Sequence, residues 1–213
     1  MKKTDETSLQ VAKLLLDIKA VKLSPDKPFR WASGWNSPIY CDNRITLSYP
    51  KVRTFIRQQL ANVIGSRLGE VDVIAGVATA GIPQGALVAE ALGLPFIYVR
   101  SSAKEHGMGN QIEGVVQPNA RVVLIEDLIS TGGSSLKAAQ AVRDAGMQVT
   151  AIVSVFTYGF PLAEENFKQA KVESISLTDY ATLLQVAQEN NYIAEGDLQK
   201  LNAWRETPES WTA

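Results

Sequence analysis

The stretch Val122-Val123-Leu124-Ile125-Glu126-Asp127-Leu128-Ile129-Ser130-Thr131-Gly132-Gly133-Ser134 constrains the fold more than any other. Its four leading apolar residues read as a buried strand. Two adjacent carboxylates stand where that strand is expected to end, and a hydroxyl- and glycine-rich turn then opens a helix. Such a strand delivers the turn to the carboxyl edge of a sheet, where open α/β folds bind ligands. The unpaired N–H groups of a helix start, helped by the helix dipole, form an anion site. Carboxylates cannot bind phosphate, but they accept hydrogen bonds from hydroxyls or hold hydrated Mg²⁺. A phosphorylated sugar is the ligand that satisfies both halves of the run.

The surrounding pattern gives that strand a sheet. Strands are predicted at 71–77, 95–99, 121–125, 149–156 and 172–177. Helices are predicted at 82–92, 133–145 and 162–170 between them, and at 179–189 and 195–205 after them. This alternation predicts an α/β fold with a doubly wound, mostly parallel sheet flanked by helices. Ahead of it, Leu9, Ala12, Leu16 and Ala20 predict a helix over 5–20. Short strands are expected at 21–23, 29–31 and 39–41 with a turn at 33–38, and a helix begins near Pro50. Residues 1–70 are read as a small N-terminal hood over the carboxyl edge, and 71–213 as the core with its C-terminal helices, in one compact unit.

Two further segments carry candidate chemistry. Gly76-Val77-Ala78-Thr79-Ala80-Gly81 joins a strand to a helix through small residues that let a ligand approach the backbone. Arg100-Ser101-Ser102-Ala103-Lys104-Glu105-His106-Gly107 opens a polar loop over 100–114, with the cations and glycines of a candidate lid. His106 is the only histidine of the chain. The net charge of −1 disfavours non-specific nucleic-acid binding. Cys41 is the single cysteine, so no intramolecular disulfide forms, which fits a reducing, cytoplasmic setting. The polar start and the lack of any long apolar run predict neither a leader nor a membrane span.

The run at 122–134 resembles the phosphoribosyl-diphosphate motif of the type I phosphoribosyltransferases. The resemblance implies that Glu126 and Asp127 face the ribose hydroxyls. It places Leu128, Ile129, Ser130, Thr131, Gly132, Gly133 and Ser134 around the 5′-phosphate, and Thr79, Ala80 and Gly81 at the diphosphate. Ser37-Pro38-Ile39-Tyr40-Cys41-Asp42-Asn43-Arg44, with Arg100, Lys104, His106 and Gly107, resembles the orotate-using branch of that family. There the loop cations Arg100, Lys104 and His106 are the catalytic contacts to the departing diphosphate, and Ser130 meets orotate. Mg²⁺ is implied as cofactor, held mainly by substrate and water near Glu126 and Asp127. A homodimer with shared active sites is implied as well, with neither nucleic acid nor membrane as partner.

The chain departs from relatives that carry lysines at the positions of Ala32, Ala80, Ser101 and Ser102, or an arginine within the stretch 156–160. Arg44, with Asn43, is the candidate replacement at the orotate. The activity implied is transfer of phosphoribosyl from its diphosphate to orotate, a step of pyrimidine synthesis. A purine-base transferase and a non-catalytic nucleotide- or RNA-binding regulator on the same fold are the alternatives.

Overall fold

The computed structural model describes residues 5–31, 34–102, 111–194 and 196–211. Its centre is a six-stranded sheet in the order β10-β9-β8-β5-β6-β7. The strands are β5 (Val73–Val77), β6 (Phe96–Val99), β7 (Ile112–Glu113), β8 (Arg121–Ile129), β9 (Gln148–Thr157) and β10 (Glu173–Asp179). All pairings are parallel except that of β6 with β7. Helices α3 (Gly81–Leu92), α4 (Gly133–Asp144) and α5 (Pro161–Ala170) connect the parallel strands. After β5 the chain moves to β6 on one side, and it then returns to lay β8 on the other. The crevice beyond the carboxyl ends of β5 and β8 is therefore the switch point at which such sheets bind ligands.

Alternation along β8 divides the interior into two layers. Val123 and Ile125 join a cluster with Leu15, Ile56, Leu60, Val88 and Leu183, while Val122 and Leu124 join Ala138, Val142, Ala163 and Phe167. The first cluster draws on α1 (Glu6–Asp17), α2 (Pro50–Arg67), α6 (Tyr180–Glu189) and α7 (Asp197–Glu206). Thus α1 and α2 belong to the main core rather than to a separate cap. What reaches over the carboxyl edge is the segment between them. It holds strands β1 (Val21–Leu23), β2 (Phe29–Arg30), β3 (Asn36–Ser37) and β4 (Ile39–Cys41), and a single 3-10 helix, Asn43–Ser48. β1 pairs with β4 and β2 with β3, both antiparallel. No helix among the described residues is long and apolar enough to cross a membrane.

Three local expectations change. β8 does not stop at Ile125; it runs through both carboxylates to Ile129, because β9 is long enough to keep pairing, Glu126 with Ser154 and Ile129 with Thr157. The stretch 100–114 contains β7, and its base is closed by Arg100 N–H donating to the Gln111 carbonyl at 2.9 Å and the Gln111 side chain donating back to the Arg100 carbonyl at 2.8 Å. The turn expected at 33–38 contains β3.

One glycine fixes how closely α3 lies on β8. A Cβ at Gly81 would be driven into the carbonyl oxygen of Ile125, a backbone atom that cannot swing aside. Gly81→Ala is therefore expected to cost about 2 kcal/mol as an overpacking defect, lowering the melting temperature by roughly 4–8 °C. Gly65→Ala, in α2 with open space around it, should instead raise it, since alanine is the better helix residue by up to about 1 kcal/mol. Thermal denaturation of the two variants checks the contrast.

Candidate active site at the carboxyl edge of β5 and β8

The acidic pair is asymmetric. Successive strand residues point to opposite faces, and Glu126 turns toward α4. It is 5% exposed, and it accepts from the Ser135 hydroxyl at 3.0 Å and from the backbone N–H of Asp127 at 3.0 Å. Asp127 is half-buried on the side of the 3-10 helix, where the Asn43 side-chain amide donates to its carbonyl at 2.6 Å. Burial pushes the Glu126 carboxyl up, and the neighbouring Asp127 charge adds to the effect; burial pushes Asp127 up as well.

Beyond Ile129 the chain turns sharply. Gly132 has φ +79, and a Cβ there would strike the Phe167 ring, so glycine is required for both conformation and space. α4 then starts at Gly133 with no side chain capping it, and Gly133 and Ser134 are exposed. The first-turn N–H groups thus face the crevice with the positive end of the helix dipole. Asn166 of α5, which carries no sequence signal for the site, braces the turn by donating to the Thr131 carbonyl at 3.0 Å.

Facing this turn, the end of β5 continues into Ala78-Thr79-Ala80, with a cis peptide between Ala78 and Thr79 and with Thr79 exposed. A pocket of about 270 Å³ lies between the two loops, lined in part by Ala78, Arg100, Gly133, Ser134 and Lys137. Arg100 thereby shares a pocket with the start of α4, and it is within 3.4 Å of Glu113 as an ion pair. Lys137 is a cation that the reading of the sequence passes over, although it stands four residues after Gly133 and hence on the same helix face. Lys104 and His106 lie outside the described residues.

A second pocket, of about 480 Å³, opens on the other flank of β8. Arg30, Trp31, Tyr40, Cys41, Leu128, Ser130 and Tyr158 line it. Its aromatic wall is rigid. Trp31 and Tyr158 have ring centroids 5.1 Å apart, and the fully buried Trp204 packs edge-on against both. Ser130 lines this pocket. Arg44 is not among the lining residues. Its guanidinium is engaged by Asp42 through Nε at 2.6 Å and Nη2 at 2.9 Å, and Arg30 is the lining cation instead. Asn43 also serves differently, as a tie to the Asp127 backbone rather than as a pocket group.

Residues 47–186 match the model of the phosphoribosyl transferase domain family. An orotate phosphoribosyltransferase of Porphyromonas gingivalis is 55% identical over 201 residues, covering 94% of this chain and 96% of that protein. One of Bacteroides thetaiotaomicron is 57% identical over 202 residues, 95% of each. A crystal structure of orotate phosphoribosyltransferase from Aeropyrum pernix superposes with a TM-score of 0.75 at 30% identity, covering 86% of this chain and 99% of that one. With the acidic strand end, the uncapped helix and the facing loop assembled at one switch point, the chain belongs to the phosphoribosyltransferase family, among the orotate phosphoribosyltransferases.

Proposed function

We propose that the chain catalyses phosphoribosyl transfer from 5-phosphoribosyl 1-diphosphate to orotate, releasing diphosphate and orotidine 5′-phosphate. The observation that carries this reading is the continuity of Glu126-Asp127 with an uncapped helix start, flanked by one pocket for a charged group and another for a flat ring. The N–H groups at 132–134 hold the 5′-phosphate, and Asp127 accepts hydrogen bonds from the ribose hydroxyls. Thr79, Ala80 and Gly81 present backbone to the diphosphate, with Arg100 and Lys137 as cations. Orotate lies against Trp31 and Tyr158, beside Ser130, and Arg30 pairs with its carboxylate.

In the chemical step a bond forms between the orotate ring nitrogen and C1 of the ribose while the C1–O bond breaks, its electron pair leaving with diphosphate. The charge of orotate rests on its carboxylate, so the ring N–H proton leaves as the N–C1 bond forms and is taken up by the departing diphosphate, while the acidic pair serves to orient the sugar. Grips at both ends of the sugar convert binding energy into alignment. Mg²⁺ fits the hard oxygen donors of Asp127. No group of three or more acidic, histidine or cysteine side chains gathers among the described residues, so diphosphate, ribose and water must supply most of its ligands. When bound, the ion polarises diphosphate oxygens and neutralises their charge. Lys104 and His106 act as further loop cations on the diphosphate, contributed by the partner copy of a cytoplasmic homodimer.

Three measurements bear on this. Orotate absorbance should fall when wild-type protein, Mg²⁺, phosphoribosyl diphosphate and orotate are mixed, and no nucleotide should form when adenine or xanthine replaces orotate; the reverse base preference overturns the assignment. Lys104→Ala should lower turnover by about 10²-fold, the scale of one lost preorganised charge contact, and Asp127→Asn should weaken phosphoribosyl-diphosphate use while the fold survives.

The buried acid also makes stability depend on pH. The folded Glu126 binds its proton more tightly than the unfolded chain does, so stability falls as pH rises from the ordinary glutamate range toward the raised folded value. Melting temperatures of the ligand-free protein should therefore show Glu126→Gln gaining on wild type between about pH 5 and neutrality.

A further inference from the structure

A line of buried polar groups joins the two phosphate-binding loops by way of the segment that covers the edge. Gln84, in the first turn of α3, donates through Nε2 to the Thr46 hydroxyl at 3.2 Å. Thr46 donates to the Asn43 carbonyl at 2.6 Å. Asn43 donates through Nδ2 to the Asp127 carbonyl at 2.6 Å, and its Oδ1 accepts from the Cys41 thiol at 3.3 Å. All three links of the line are nearly closed to water, at 3%, 0% and 3% exposure for Gln84, Thr46 and Asn43.

The direction of each hydrogen bond is determined. The Asp127 carbonyl can only accept, so Asn43 must present its NH₂ there and its oxygen to the thiol. Because Thr46 spends its proton on the Asn43 carbonyl, its oxygen can only accept from Gln84. That leaves Gln84 Oε1 buried without a partner among the described residues. A buried orphan acceptor destabilises, and a leucine of similar shape would remove the penalty. Stability alone therefore does not account for an amide at position 84.

We propose that Asn43, Thr46 and Gln84 are positioning residues for phosphoribosyl transfer. Asn43 sets the height at which the strand end presents the Asp127 carboxylate. The Thr46–Gln84 arm sets the spacing between that carboxylate and the diphosphate loop at the start of α3. A buried chain of directed hydrogen bonds holds its links in one arrangement, here at the cost of the one unpaired Gln84 oxygen. The sugar is gripped at both ends, and a change in this spacing disturbs the transition state more than it disturbs binding of orotate, which lies in the pocket on the other flank. The proposal rests on the transferase reading above.

The test measures melting temperature, kcat and KM for both substrates in wild type, Gln84→Leu, Thr46→Val and Asn43→Asp. Gln84→Leu is expected to melt at or above the wild-type temperature and yet to lose about ten- to a hundredfold in kcat, the scale of a small misplacement near the reacting atoms. KM for orotate should stay within about twofold, the pattern of an interaction felt in the transition state. Thr46→Val strips partners from the buried Gln84 amide and the Asn43 carbonyl, so it should melt below wild type while showing the same loss in kcat and the same unchanged KM for orotate. Asn43→Asp, which sets a carboxylate oxygen against the Asp127 carbonyl and removes the donor there, should lose at least as much in kcat. An active wild type with wild-type kcat in Gln84→Leu and Thr46→Val overturns the positioning roles and leaves the transferase assignment standing. A wild type inactive on orotate overturns both. If Asn43→Asp fails to fold, the two nearly isosteric variants decide alone.

Discussion

The parallel pairing of β5 with β8 is the constraint on which the site depends. At its amino end Arg121 and Asp72 lock the register, with the guanidinium forked onto the carboxylate at 2.8 Å through both Nε and Nη2, and with each backbone N–H donating to the other residue. Gly76 is consequently opposite Ile125 at the other end, and the Gly81 backbone rests on Ile125 just as β8 reaches its carboxylates. A slip by one residue would exchange the two layers of the core and turn Glu126 and Asp127 to the wrong faces. The register that satisfies the hydrophobic interior is the same one that aligns the loop after β5 with the turn after β8.

The acidic pair divides two tasks that its adjacency in sequence conceals. Glu126 is bonded into the first turn of α4 through Ser135, so it fixes the helix whose uncapped N-terminus is the proposed phosphate site. Asp127, on the opposite side, is left half-buried at the strand end, where the ribose is proposed to bind. Burial raises both carboxyls, and the Asp127 charge raises Glu126 further; a bound cation or a diol offers the charged forms what the protein alone withholds.

Much of this was legible in the residues. The four-residue apolar run of β8 and the Thr-Gly-Gly turn identify a strand, a sharp reversal and a helix by local physics alone, and the β/α alternation then leaves few topologies. The extension of β8 to Ile129 was not legible, because two charges at a sheet edge read as an end; the ten-residue partner β9 decides it. The two-residue β7 is held by its pairing with β6, by burial of Ile112 and by the Arg100–Glu113 ion pair, all of them tertiary, and the helix at 43–48 by Asp42 capping the Arg44 N–H at 3.2 Å and by the tie to Asp127. Arg30 gave no signal, since its place in the ring pocket follows from the β2–β3 hairpin. Arg44 looked available in the sequence, but a carboxylate two residues away claims its fork. Lys137 could have been found by asking which side chain shares a helix face with Gly133.

The covering segment 21–48 has little core of its own, which is why it can serve the site. Its strands are two or three residues long, and its firm attachments are few and specific: Trp204 Nε1 of α7 donates to the Asn36 carbonyl at 3.1 Å, Trp31 packs on Tyr158, and Asn43 holds Asp127. Short strands of this kind are stable only through what they dock on. Each anchor is also a wall or a support of the ring pocket or the acidic strand end. Loosening the segment therefore opens the pocket and frees the carboxylate together, so the order of this small cap and the geometry of the reacting centre are one property of the fold.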